Sequence, residues 1–266
     1  MALRKQGKTV VEEPLDRTWT PTSAEQEAWE QQVLKIVQEL DQKDCDTTTN
    51  MIKAGLDRNG QKATDYRQSL PPFLQAAAGG DLATLRAMVS SDVEGLFTTK
   101  DRNGSTAEHW AAGSGHLECL RFLVEEGKTQ EPPTKMRRRE GKTSLHYAAR
   151  NGHLDCIRYL VEERGYSLRA ASGDGTTPFH MACFGGNLAV VEYMLERESA
   201  SIATEGNEWG CTAAHWMAMT KCTSVEVVRK MCSLLLSKGV SFVQVQKQGH
   251  SPLHKAAQVS ISGDLR

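Results

Sequence analysis

Between residues 144 and 161 the apolar positions follow two short helical rhythms separated by a glycine. Leu145, Ala148 and Ala149 stand at offsets 0, 3 and 4, one face of a helix. After Gly152, the residues Leu154, Ile157, Leu160 and Val161 repeat that spacing. Thr143 stands where a helix N-cap is wanted, because its hydroxyl can take up a backbone N–H that the first turn leaves free. The pattern therefore predicts a short helix, a break at glycine, and a second amphipathic helix. The two alanines on the first helix are small enough to let a neighbouring helix come close.

This helix pair recurs. Its opening phrase runs Gly104-Ser105-Thr106-Ala107-Glu108-His109-Trp110-Ala111-Ala112, then Gly141-Lys142-Thr143-Ser144-Leu145-His146-Tyr147-Ala148-Ala149, then Gly175-Thr176-Thr177-Pro178-Phe179-His180-Met181-Ala182-Cys183. It returns as Gly210-Cys211-Thr212-Ala213-Ala214-His215-Trp216-Met217-Ala218 and as Gly249-His250-Ser251-Pro252-Leu253-His254-Lys255-Ala256-Ala257, with histidines 37, 34, 35 and 39 residues apart. Second helices open on Gly115-His116-Leu117, Gly152-His153-Leu154 and Gly186-Asn187-Leu188. A degenerate unit, Pro71-Pro72-Phe73-Leu74-Gln75-Ala76-Ala77, lies one period upstream, with Leu74 in the histidine slot. One such pair cannot bury its apolar face alone, so at least about three must stack into a shared core.

The phrase resembles the ankyrin repeat, whose period is about 33 residues and whose signature is T-P-L-H-x-A. The resemblance runs from about residue 70 to 258 and implies an all-α solenoid of helix-turn-helix units joined by hairpin loops. It also implies that the signature histidines hydrogen-bond the hairpins of neighbouring units, and that a partner protein is held by the hairpin tips and the exposed inner helix face. Carrying the family's variable contact positions onto this chain gives Arg102, Asn103 and Ser114, then Arg139, Lys142, Arg150 and Asn151, then Asp174 and Phe184, and last Trp209.

The residue after each signature histidine adds a ladder of large side chains: Trp110, Tyr147, Met181 and Trp216, with Gln75 and Lys255 at its ends. Each is turned about 200° from the core residue two places earlier, at roughly 100° per residue, away from the alanine face. The ladder admits two readings, packing between successive units or a binding hot spot.

Four regions follow: a tail at 1–21 expected to be disordered, a helical capping region and linker at 22–69, the repeats at 70–258 with the last unit incomplete, and a short tail at 259–266 expected to be disordered. Ser23 and Gln26 form a capping-box pattern before Trp29, Val33, Ile36, Val37 and Leu40, so an amphipathic helix is expected at about 22–41. It either covers the apolar end of the solenoid or binds a partner. After Ala257-Gln258 no second helix is supplied, which leaves the preceding unit uncapped and is expected of a chain cut from a longer array. The fourth unit carries an insertion around Thr220-Lys221-Cys222-Thr223-Ser224.

Composition narrows the function. With 32 basic and 33 acidic side chains, the net charge of -1 gives no global field for nucleic acid or an anionic membrane. A local basic cluster, Lys135, Arg137, Arg138, Arg139 and Lys142, follows Pro132-Pro133 in a loop that the family would make a projecting tip. It suits an acidic protein segment or a nuclear import signal. It lacks the interleaved aromatics of a nucleic-acid site.

Seven unpaired-looking cysteines fit a reducing compartment, cytosol or nucleus. No apolar run marks a secretory signal or a membrane span.

His116-x-x-Cys119 and His153-x-x-Cys156 mimic metal ligands, but the third copy has Asn187 and Val190 there, so both cysteines are expected to be buried hydrophobes. Glu125-Glu126 and Glu162-Glu163 are expected to be solvated surface. The histidines lack the nucleophile or orienting carboxylate of a general base.

The favoured reading is a non-catalytic adaptor or scaffold that binds a protein, without cofactor, metal or small-molecule substrate. Its partner is expected to be acidic toward the first units and apolar toward Phe184, Trp209 and Trp216. Two alternatives stand beside it. One is a regulatory ankyrin region of a larger enzyme, and the other is a nuclear regulator using the basic tip at 135–142.

Overall fold

A computed structural model of the chain describes residues 67–91, 95–127, 141–220, 222 and 224–256. The expected helix at 22–41, both tails, and Arg139 with most of the basic loop lie outside these residues.

The described elements are helices arranged in successive pairs. They run α1 (Pro72–Gly79) with α2 (Leu82–Ser90), α3 (Ala107–Ser114) with α4 (Leu117–Glu126), and α5 (Ser144–Asn151) with α6 (Leu154–Arg158), which continues as a π-helical turn at Tyr159–Glu163. Then come α7 (Pro178–Gly185) with α8 (Leu188–Arg197), a single turn α9 (Ser201–Thr204), and α10 (Ala213–Ala218) with α11 (Val225–Ser237). Helical backbone resumes at 252–256.

The inner helices α3, α5, α7 and α10 start for the same local reason. Thr106, Thr143, Thr177 and Thr212 take up extended backbone as N-caps, and the signature histidine at the third helical position turns back on them. Its Nδ1 accepts the N-cap N–H at 3.1 Å in the first three units and 3.2 Å in the fourth. Histidine thus takes the place usually held by Glu or Gln in a capping box.

Inner helices α1, α3, α5, α7 and α10 stack side by side and make the most extensive contacts in the molecule. The seam is built from fully buried small residues, Ala111, Ala112, Ala148, Ala149, Ala182 and Cys183. The outer helices close the core with Leu120, Ile157, Leu160, Val191, Met194 and Leu235. Cys119 and Cys156 are buried among them as expected, and burial pushes the Cys156 thiol up to about 11. Glu108 occupies a position that is apolar in the next three units. It is accommodated because Ser144 donates a hydroxyl to it at 2.6 Å and buried Tyr166 at 3.2 Å.

A second set of bonds locks each pair to the one before. His116 Nε2 donates to Ala78 O and His153 Nε2 to Gly113 O, both at 3.1 Å. In the third copy Asn187 Nδ2 donates to Ala149 O and Arg150 O at 2.8 Å. These rings and amides lie over the glycine that ends the preceding inner helix. At Gly152, with φ of 82°, a Cβ would stand 2.7 Å from Asn187 Oδ1, so the site needs glycine both for its left-handed backbone and for space.

In the fourth unit α10 has no such glycine. Thr220 takes over, donating its hydroxyl to Phe184 O at 3.1 Å while accepting the Cys222 N–H at 3.2 Å, which is where the insertion is absorbed.

On the outer face Glu162 and Glu163 are exposed as expected, and both also tie consecutive outer helices together. Arg121 pairs with Glu163 and lies 4.4 Å from the Tyr159 ring centroid. Arg197 pairs with Glu162 and lies 4.2 Å from the Tyr193 ring, whose hydroxyl also donates to Glu162 at 3.0 Å.

Candidate protein-binding surface

Among the described residues, four tight hairpins stand at the entries to units. In Asp101–Ser105, Ser172–Thr176, Asn207–Cys211 and Gln246–His250 the first N–H donates to the last C=O, and the glycine N–H donates back to the first C=O. Side-chain acceptors complete the turns. Asp101 Oδ1 takes the Asn103 and Ser105 N–H groups, and Asn207 Oδ1 those of Trp209 and Cys211. Asp174 Oδ1 takes the Ser172 hydroxyl and the Thr176 N–H. Burial alone would raise the Asp174 carboxyl, but those bonds and the nearby Lys142 charge outweigh it and hold it below the usual range. Successive tips are then joined through the main chain: Glu208 N–H donates to Asp174 O at 3.0 Å and Lys247 N–H to Trp209 O at 2.9 Å. The last three tips thus form a rail of fixed spacing.

The signature histidines are consumed by this architecture. His146 Nε2 donates to Thr176 O at 2.9 Å, His180 to Glu205 O at 3.1 Å, and His215 to His250 O at 3.1 Å. Burial drives His146 and His180 down to about 4, and it also lowers His109 and His215. The rings are therefore neutral at pH 7, with Nδ1 accepting within the unit and Nε2–H donating to the next.

The predicted contact residues divide. Arg102, Asn103 and Trp209 are exposed on tips, with Asp174 and Lys142 half-buried beside them. Trp110, Ser114, Tyr147, Arg150, Phe184 and Trp216 are half-buried along the inner helices. Asn151 is exposed, yet its amide donates to Gly113 O at 2.5 Å and so also stitches two units.

Met181 departs from the predicted ladder, for it is buried, with 3% of its surface exposed. The ladder position points toward the preceding inner helix, and the alanine seam brings that helix close. Tyr147 meets the His109 ring at 5.5 Å and Trp216 meets the His180 ring at 6.0 Å. A methionine at this position is covered completely, whereas the larger rings extend beyond the seam.

One grouping is not among the contacts expected above. The Arg150 guanidinium lies 5.3 Å from the Phe184 ring, and Phe184 meets Trp216 edge-on at 6.2 Å, so one side chain from each of three successive units forms a continuous strip. Arg150 and Phe184 are 34 residues apart, the same place in consecutive units. Superposing the repeats would have found the pair.

Charge is unevenly shared between the two sides. The outer helices carry charge of both signs, Glu118, Glu125, Glu126, Asp155, Glu162, Glu163, Glu192, Glu196 and Glu226 beside Arg86, Arg121, Arg158, Arg197, Arg229 and Lys230. The inner helices α3, α5, α7 and α10 carry only Glu108 and Arg150 as Asp, Glu, Lys or Arg residues.

The family model for ankyrin repeats (3 copies) matches residues 28–134, 73–171, 130–206 and 155–233. The chain belongs to the ankyrin-repeat family. Among solved structures it is similar to a chain of the complex titled Bd0816 predatory endopeptidase from Bdellovibrio bacteriovorus in complex with immunity protein Bd3460. That match has a TM-score of 0.51 and 24% identity, over 73% of this chain and 95% of that one. With 507 solved chains matching, the shared fold does not by itself select a partner. No described helix is long and apolar enough to cross a membrane.

Proposed function

We propose that this chain is a non-catalytic adaptor that holds a partner protein along its hairpin rail and inner helix face. The observation that carries the reading is the contrast between the two kinds of polar group on this side. The histidines, Asp174 Oδ1 and the turn amide of Asn207 are spent on structure, whereas Arg102, Lys142, Arg150, Tyr147, Trp209 and Trp216 retain accessible surface on a preformed frame. Large, partly exposed aromatic and arginine side chains on a rigid support are what interface hot spots consist of. A rigid surface also loses little entropy on association.

The partner's character follows from which side chains stand on the tips and inner helices. Arg102, Lys142 and Arg150 favour an acidic stretch over the earlier units, and Phe184 and Trp216 favour apolar side chains over the later ones. Arg139 belongs to the same basic group by sequence. The described cysteines are free, which supports a reducing compartment, cytosol or nucleus. The neighbouring structure's title names an enzyme bound to an immunity protein, and a partner-holding role agrees with it.

The test is capture of partners from lysate with the tagged chain, followed by the same capture after charge reversal of Arg139, Lys142 and Arg150 together. The reading predicts selective loss of one or a few proteins. Unchanged recovery by a variant with a wild-type melting curve would remove it.

A further inference from the structure

Trp209 is the large side chain on this surface that folding does not use. It is 53% exposed at a hairpin tip, and Val245 at 50% is the other large hydrophobic so exposed among the described residues. Its main chain is held firmly: Asn207 Oδ1 accepts its N–H at 3.0 Å, and its C=O accepts from Lys247 at 2.9 Å. The indole is thus a presented group on a fixed tip.

Elsewhere the chain covers its aromatic rings with arginines, Arg86 on Phe122, Arg121 on Tyr159, Arg150 on Phe184 and Arg197 on Tyr193. No described residue places a cation over Trp209, although indole is the ring that attracts cations most strongly. Two carboxylates adjoin it. Glu208 precedes it on the same tip, and the Glu208 N–H bond to Asp174 O brings the Asp174 tip alongside. The Glu208 stem lies against Gly175, where a Cβ would come within 3.3 Å of Glu208 Cγ. Lys247 lies on the other side, its stem passing Gly210, and Lys142 faces Asp174 from the preceding unit.

We propose that Trp209, with Asp174 and Glu208 on its N-terminal side, is a seat for an arginine side chain of the partner protein. The guanidinium would stack on the indole and point its N–H groups at the carboxylates, away from Lys247. This rests on the protein-binding reading and sharpens it: the bound segment is acidic over Arg102, Lys142 and Arg150 and carries an arginine where it reaches the fourth tip. A planar guanidinium satisfies ring and carboxylate together, which an ammonium does less well.

The experiment is a titration of the isotopically labelled chain with Nα-acetyl-arginine amide. It follows the indole Nε1–H resonance assigned to Trp209 by its disappearance in Trp209→Phe. The expected result is a saturable shift of that resonance, with a dissociation constant weakened about two- to fivefold in the Asp174→Asn/Glu208→Gln double variant. Asn and Gln keep the turn acceptors, and an unchanged melting curve confirms that the variant is folded.

Three results would overturn the assignment: no shift with arginine, an equal shift with Nα-acetyl-norleucine amide, which would mark an apolar seat, or a stronger one with Nα-acetyl-glutamate amide. Any of these leaves the broader protein-binding reading intact, because that is decided by recovery of partners after charge reversal at Arg139, Lys142 and Arg150.

Discussion

Acidification should unfold this array through its buried histidines. His146 and His180 are driven by burial from 6.5 to about 4. Below pH 6.5 the unfolded chain takes up protons at these sites while the folded chain does not, so stability present above that pH is lost as pH falls toward 4. Lys142, Asp174 and His109 face His146, and Asp174, Glu205 and His215 face His180. Protonation would also turn Nδ1 from an acceptor into a donor opposite the Thr143 and Thr177 N–H groups. Between pH 7 and pH 5 the linkage is worth about 2 kcal/mol for each ring and about 4 kcal/mol for both, a large share of a typical domain's stability. His109 and His215 shift in the same direction and add to the loss.

The assay is urea unfolding followed by circular dichroism at pH 7, 6 and 5, on the wild-type chain and on His146→Gln/His180→Gln. Glutamine can hydrogen-bond but does not titrate, so the double variant should be weaker at pH 7 yet lose far less stability on acidification. Equal pH slopes in the two proteins would refute the assignment of these rings as buried, neutral struts.

Other outcomes follow from the same frame. Leu145→Ala removes a fully buried side chain from the inner seam and should cost about 2–5 kcal/mol, read as a lower urea midpoint. Gly152→Ala forces a Cβ onto left-handed backbone and toward Asn187, and should cost about 1–2 kcal/mol or more in the same assay. Arg121→Ala breaks a half-exposed ion pair and ring contact on the outer face; it should change stability by no more than about 1 kcal/mol and leave partner capture unchanged. Trp209→Ala should leave the melting temperature within error, since the ring is exposed, and weaken binding of a captured partner about tenfold or more in a competition assay.

The stack was legible because one phrase recurs in phase and each copy repeats the same apolar spacing. Leu145, Ala148 and Ala149 could be placed on one buried face from offsets alone. What the spacing could not supply was direction between units. The ladder position after each histidine is on the correct side of its own helix, but whether it faces solvent depends on how near the preceding inner helix lies. Met181 is covered for that reason, while Tyr147 and Trp216 are half-covered. The outer ion pairs escaped notice for a similar reason: Arg121 and Glu163 are 42 residues apart, and only stacking makes them neighbours. Glu108 stands in a slot that is apolar in the next three units, and its partners Ser144 and Tyr166 come from the following unit and the loop beyond it. The tips were readable as turns, but the Glu208 and Lys247 main-chain bonds that align them into a rail carry no side-chain signature.

Hydrogen exchange of the chain, alone and with a partner recovered by capture, tests the binding surface most directly. The account predicts slowed exchange confined to the tips and inner helices, at 102–114, 142–151, 174–185 and 207–218. Protection concentrated instead on the outer helices at 117–126, 154–163 and 188–197 would contradict it.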